Sequence, residues 1–189
     1  MKNTDLSNQK KSGNSSSQRK SQNRFSLRKL TVLSLMTALS LMIFFVESLL
    51  PSPVPIPGIK LGLSNIVSLI LLNRYGAHEA LPVLLCRILL SCFFFSQAIS
   101  LAYSLTGGLL CLITMAFLQF LLQRRYLWLT SIFGAIAHNI GQMAVALVLT
   151  RVPGVMIYLP FLLISAVVAG LFTGLCAHFA LQRLPKFPD

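Results

Sequence analysis

Acidic side chains are almost missing from this sequence. Four are present, Asp5, Glu47, Glu79 and Asp189, in a chain of 189 residues that carries sixteen Lys and Arg. Magnesium-dependent diphosphate chemistry needs clustered carboxylates to hold the metal, and two of these four stand near the chain ends. The phosphate-loop pattern Gly-x-x-x-x-Gly-Lys-[Ser/Thr] is absent, which excludes ATP hydrolysis by the usual route. Gly-x-Ser-x-Gly and His-Glu-x-x-His are absent too. No catalytic residue, metal site or cofactor is therefore expected. The four cysteines, Cys86, Cys92, Cys111 and Cys176, lie in apolar stretches without metal-type spacing and read as small core residues. Charged residues are scarce at 11%, whereas hydrophobic ones reach 55%. A soluble domain of this length could not hide so much apolar surface, and lipid is the solvent that suits it.

The net charge of +12 is unevenly spread. Eight basic residues precede Leu30 (Lys2, Lys10, Lys11, Arg19, Lys20, Arg24, Arg28 and Lys29) in a stretch otherwise rich in Ser, Asn and Gln. Residues 1–29 hold too few apolar side chains to fold alone. They read as a disordered cytoplasmic tail held near anionic lipid rather than as a nucleic-acid arm.

Six apolar stretches follow: about Leu30–Leu50, Leu61–Leu72, Ala80–Phe95, Ile99–Leu122, Trp128–Leu149 and Ile157–Leu181. The expected fold is an all-α, polytopic membrane bundle over residues 30–182, with about six transmembrane helices and a short cytoplasmic tail at 183–189. Alternating prolines from Pro51 to Pro57 end the first helix in a stiff extended loop. The second stretch has about half the length needed to span. Gly107-Gly108 permits a bend in the fourth. With the amino terminus inside, the inner flanks hold thirteen Lys and Arg and the outer flanks two, Lys60 and Arg151. That asymmetry puts both termini in the cytoplasm of a bacterial cell if the span count is even.

Small residues recur every fourth position at Ala166, Gly170, Gly174 and His178, and again at Ser34 and Ala38. Such faces let helices approach closely in lipid. They serve packing within the bundle or docking of another membrane subunit.

Polar groups in apolar stretches are costly and ask for a reason. Arg87 needs a cavity, a partner or an anionic ligand. Glu47 shares a helix face with Thr37, Ser40 and Phe44 and could pair with Arg87 or Lys60. His138, Asn139 and Gln142 give one face of the fifth helix three strong hydrogen-bonding side chains, which bond neighbouring helices or line a site. Between the proline run and the short helix, Pro57, Gly58 and Gly62 are expected to act as the hinge of a lid, with Lys60, Ser64 and Asn65 as its polar contacts. The candidate ligand-binding residues are Glu47, Lys60, Asn65, Arg87, His138, Asn139 and Gln142, for a small molecule with an anionic or polar head.

Three motifs together, Pro55-Ile56-Pro57-Gly58-Ile59-Lys60-Leu61-Gly62-Leu63-Ser64-Asn65, Ser104-Leu105-Thr106-Gly107-Gly108 and Ala137-His138-Asn139-Ile140-Gly141-Gln142, resemble one family over roughly Leu30 to Leu181. It is described both as heptaprenyl diphosphate synthase component I and as the Gx transporter family. The layout also resembles the substrate-binding (S) subunits of energy-coupling-factor (ECF) vitamin transporters. That resemblance implies six helices, internal termini, an outer loop closing over the substrate, and coupling to a membrane subunit and ATPases through small residues on the first helix. Ser34-x-x-x-Ala38 stands where that family carries Ala-x-x-x-Ala. The other description implies a non-catalytic membrane partner of a prenyl synthase in quinone-precursor synthesis. A third class is a scaffold subunit of a membrane redox complex.

Overall fold

The structure is a computed structural model that describes residues 27, 29–49, 60–95, 98–122 and 125–183. The chain divides into two compact units, Met1–Leu35 and Met36–Asp189. Among the described residues, the first holds only the opening of α1, where the Thr31 hydroxyl donates to the Leu27 carbonyl at 2.9 Å. The second unit carries the rest of α1 and all the other helices.

Every regular element among the described residues is helical. The six α-helices are α1 (Lys29–Leu49), α2 (Asn65–Arg74), α3 (Ala77–Phe95), α4 (Ala98–Leu121), α5 (Leu127–Thr150) and α6 (Leu159–Arg183). A 3-10 turn at Pro153–Tyr158 precedes α6. Helix α6 begins at Leu159 instead of Ile157, and its second residue, Pro160, has no N–H with which to extend the α-helical ladder back into that turn. Five helices are long and apolar enough to cross a membrane, and α2, with 10 residues, is not. At 1.5 Å per residue it covers about half a bilayer core.

Phe93 and Phe120 are 81% and 85% exposed, whereas Asn139 and Gln142 are 0% and 1% exposed. Large apolar side chains outside and amides inside invert the order of a water-soluble protein, and lipid is the surrounding that makes this arrangement favourable.

Helix α2 is the buried element. Val67, Leu69, Leu71 and Leu72 are each at most 3% exposed, and the helix packs on α3, α4, α5 and α6. Its end is set by Gly76, whose φ of +90° suits glycine and whose N–H reaches the Leu71 and Leu72 carbonyls at 3.2 and 3.1 Å. This is the hydrogen-bonding that closes a helix before a sharp turn. Arg74, the last residue of α2, donates to the Leu181 carbonyl near the end of α6 at 3.4 Å.

Helix α5 lies between α4 and α6, and glycine brings the three together. A β-carbon on Gly170 would lie 2.7 Å from Ile132 Cα, one on Gly174 2.7 Å from Trp128 Cα, and one on Gly141 3.0 Å from Gly107 Cα. The Ala166–Gly170–Gly174 face is therefore spent on packing within the bundle, and Ser131 and Thr173 add a 2.8 Å hydroxyl contact across it. His178, the fourth member of that row, is exposed beside Gln182 at 2.9 Å. Gly107-Gly108 does not interrupt α4, which is continuous from Ala98 to Leu121. Gly107 has a further use there: it admits the backbone of α5.

Candidate functional site

The face of α1 toward the bundle carries Ser40, Phe44 and Glu47, which are 2%, 6% and 5% exposed. Their three- and four-residue spacing places them in one stripe. Helix α3 contributes Arg87, 3% exposed, and α5 contributes His138 and Gln142. Residues Lys60–Ser64 run between these helices before α2 begins.

The contacts are specific. The Glu47 carboxylate accepts the Gly62 N–H through Oε1, and the Ser64 N–H lies beside it. Arg87 donates to the Ser64 hydroxyl. The Lys60 ammonium sits 3.5 Å above the centroid of the Phe44 ring, an attraction between a cation and the negative face of the aromatic. The Lys60 N–H donates to Gln142 Oε1 at 3.3 Å, and Gln142 Nε2 meets His138 Nε2 at 3.0 Å. An amide NH2 has only donors to offer, so His138 Nε2 is the acceptor. The imidazole is then neutral, with its hydrogen on Nδ1. That nitrogen faces the Gly107 backbone in poor hydrogen-bond geometry.

Two glycines make room for the ring. A β-carbon on Gly107 would lie 2.9 Å from His138 Nδ1, and one on Gly62 would lie 3.0 Å from His138 Cδ2 and 2.9 Å from Asn65 Nδ2. Gly62 also has φ +79°, a left-handed conformation that penalises any side chain. The Lys60–Ser64 segment is thus seated directly on the α5 polar face. Partial burial pushes the Lys60 ammonium below the ordinary lysine value; Glu47 opposes that shift and Arg87 adds to it.

Three buried polar atoms here complete no hydrogen bond: Glu47 Oε2, Asn65 Nδ2 and His138 Nδ1. Unmade bonds at buried groups are expensive, and a polar ligand is one way to complete them.

The structure brings Glu47, Lys60, Gly62, Asn65, Arg87, His138 and Gln142 together. Asn139 differs: its amide donates to the Leu162 carbonyl of α6 at 2.7 Å, so it ties α5 to α6, and its Oδ1 is left without a partner. Pro57 and Gly58 lie outside the described residues, as do most of the 1–29 tail, the proline run and residues 184–189. Ser34 and Ala38 are each exposed. Gln119, 5% exposed with an unpartnered Nε2, is a further buried polar group on α4. It stands alone between Leu118 and Phe120, with no polar neighbour in sequence to mark it. No group of three or more His, Cys, Asp or Glu side chains able to hold a metal occurs among the described residues.

A helical membrane bundle enclosing a buried, charged and amide-rich cluster is the class of protein that fold and cluster define. The chain belongs to the heptaprenyl diphosphate synthase component I family, whose model matches residues 36–180. No curated protein and no solved structure matches it.

Proposed function

We propose that the chain is a membrane-embedded binding subunit that captures a small molecule with an anionic or polar head and passes it across the membrane, energised by partner subunits. The observation that carries this reading is the seating of Lys60–Ser64 on Glu47, Arg87, His138 and Gln142. A bundle that only needed to pack could fill that volume with apolar side chains at lower desolvation cost. A binding protein needs those groups, and it needs a segment that can leave them. The layout resembles that of the S subunits of energy-coupling-factor transporters. On that likeness Ser34 and Ala38 of α1 would dock the coupling subunits. If α2 and its flanks complete an even number of crossings, the thirteen-to-two distribution of basic flanks supports cytoplasmic termini and entry from outside.

Native mass spectrometry of the full chain, released from lipid nanodiscs, tests this. A co-purified small polar molecule that is lost in Arg87→Leu is the expected result. A ligand-free spectrum from freshly purified native membranes would overturn the reading.

A second reading is favoured by family membership itself: a non-catalytic membrane component of prenyl diphosphate synthesis. The scarcity of carboxylates supports the non-catalytic part. It predicts that pure chain does not condense isopentenyl and allylic diphosphates with magnesium, and that it raises the activity of a prenyl synthase with which it forms a complex. Product formation by the chain alone would refute it.

A further inference from the structure

The polar cluster carries an imbalance of charge. By formal charge, Glu47 brings one negative group, and Arg87 and Lys60 bring two positive ones. Among the described residues the other carboxylate is that of Glu79. Glu79 stands eight residues before Arg87 on α3, about 12 Å away along the helix. Asp5 and Asp189 lie outside the described residues.

The Glu47 carboxylate also occupies a particular place. The first amides of α2 are already taken: the N–H groups of Asn65, Ile66 and Val67 bond to the carbonyls of Gly62, Leu63 and Ser64 at 3.0, 3.2 and 3.3 Å. The Gly62 and Ser64 amides are left to converge on Glu47. Gly62 is left-handed, and its amide and that of Ser64, one residue apart across Leu63, face the same carboxylate. The fit is incomplete, because Glu47 Oε2 and the adjacent Asn65 Nδ2, both buried, each complete no hydrogen bond. Glu47 is two residues from the end of α1, where a rotamer change can carry its carboxylate out of the cluster.

Resting on the capture reading, we propose that Glu47 is the resident counter-ion of an anion site. It holds Lys60–Ser64 closed until the phosphate or carboxylate of the incoming molecule replaces it beside Arg87. An incoming oxyanion accepts from the Gly62 and Ser64 amides, from Arg87 and from Asn65 Nδ2. Displacement of Glu47 keeps the site at one negative group against two cations, so capture never requires two adjacent anions.

The test uses the full chain in neutral-lipid nanodiscs. Thermal unfolding is followed in sodium orthophosphate, sodium acetate and sodium chloride at matched ionic strength. Phosphate or acetate should raise the midpoint saturably above chloride, and the more effective of the two identifies the head group. Glu47→Gln removes the competing charge and should halve-saturate at a concentration lower by about tenfold or more, since a like charge within a few ångströms is removed. Glu47→Asp, one methylene too short to reach Gly62, should shift the same way by a smaller factor, and it serves if the Gln variant does not fold. Arg87→Gln should lose the anion-specific shift. Equal or weaker anion response in both Glu47 variants, retention of the shift in Arg87→Gln, or no response in any form would overturn the proposal. A co-purified molecule in native mass spectrometry, obtained alongside such a result, would leave the capture reading standing without this mechanism.

Discussion

Replacing Gly62 by alanine separates two costs that coincide at one residue. The first is conformational: φ +79° costs a residue with a β-carbon about 1–2 kcal/mol. The second is steric: the new methyl would lie 2.9 Å from Asn65 Nδ2 and 3.0 Å from the His138 ring, and overpacking of that kind costs about 1–3 kcal/mol. Gly76 supplies the control, because its φ is +90° and a β-carbon there would meet nothing within 4 Å. Gly76→Ala therefore carries the conformational cost alone. The assay is amide hydrogen exchange of the full chain in nanodiscs, read at residues 60–65 for Gly62→Ala and at 74–78 for Gly76→Ala. Local opening follows local stability, so the acceleration at 60–65 should exceed that at 74–78 by about 5- to 150-fold, the equivalent of 1–3 kcal/mol. Exchange in α4, α5 and α6 should stay at its wild-type rate. Equal acceleration at both sites, or acceleration spread through α5, would refute the seating of the segment on His138.

Gly170→Ala should lower the thermal midpoint of the whole bundle, because its methyl meets Ile132 Cα at 2.7 Å and backbone has to move; the cost is about 1–3 kcal/mol, and an unchanged midpoint would contradict close α5–α6 contact. Asn139→Leu removes the bond to Leu162 and should destabilise the bundle by roughly 0.6–2 kcal/mol while anion response is retained, which distinguishes a helix tie from a ligand contact. Lys60 should become acylated at lower pH than other lysines: burial disfavours its ammonium, so its free amine is present below the pH at which an ordinary lysine deprotonates. Mass spectrometry of acylation across a pH series checks this, with an onset at or above that of the tail lysines as the contrary result.

The helical plan was legible because each apolar run is long and each break carries a mark. Pro153-Gly154 announced the turn before α6, and the short run at 61–72 announced that α2 could not span alone. The polar positions stood out as well, since Arg87, His138 and Gln142 interrupt stretches that are otherwise apolar. Their partners were harder to read. Asn139 follows His138 in sequence, but one residue turns a helix by about 100°, enough to send its amide to α6. Gly107-Gly108 looked like a bend because glycine weakens a helix in water; against a neighbouring helix the same missing side chain permits backbone contact. The contact of Gly62 with His138 joins residues 76 positions apart, and no local pattern reports a meeting of that kind.

The glycine contacts on both flanks of α5 have a consequence for motion. A helix separated from each neighbour by less than the radius of a methyl group has no lateral play, and sliding it by one residue would drive a side chain into a backbone. His138 and Gln142 are thus carried on a helix packed against main-chain atoms instead of adjustable side chains. Any opening of the polar cluster falls to its other wall, the Lys60–Ser64 segment, which is held there by hydrogen bonds, charge and the contact of Gly62 with His138. Such a division lets one surface keep a constant measure of the molecule it receives while the other admits or releases it.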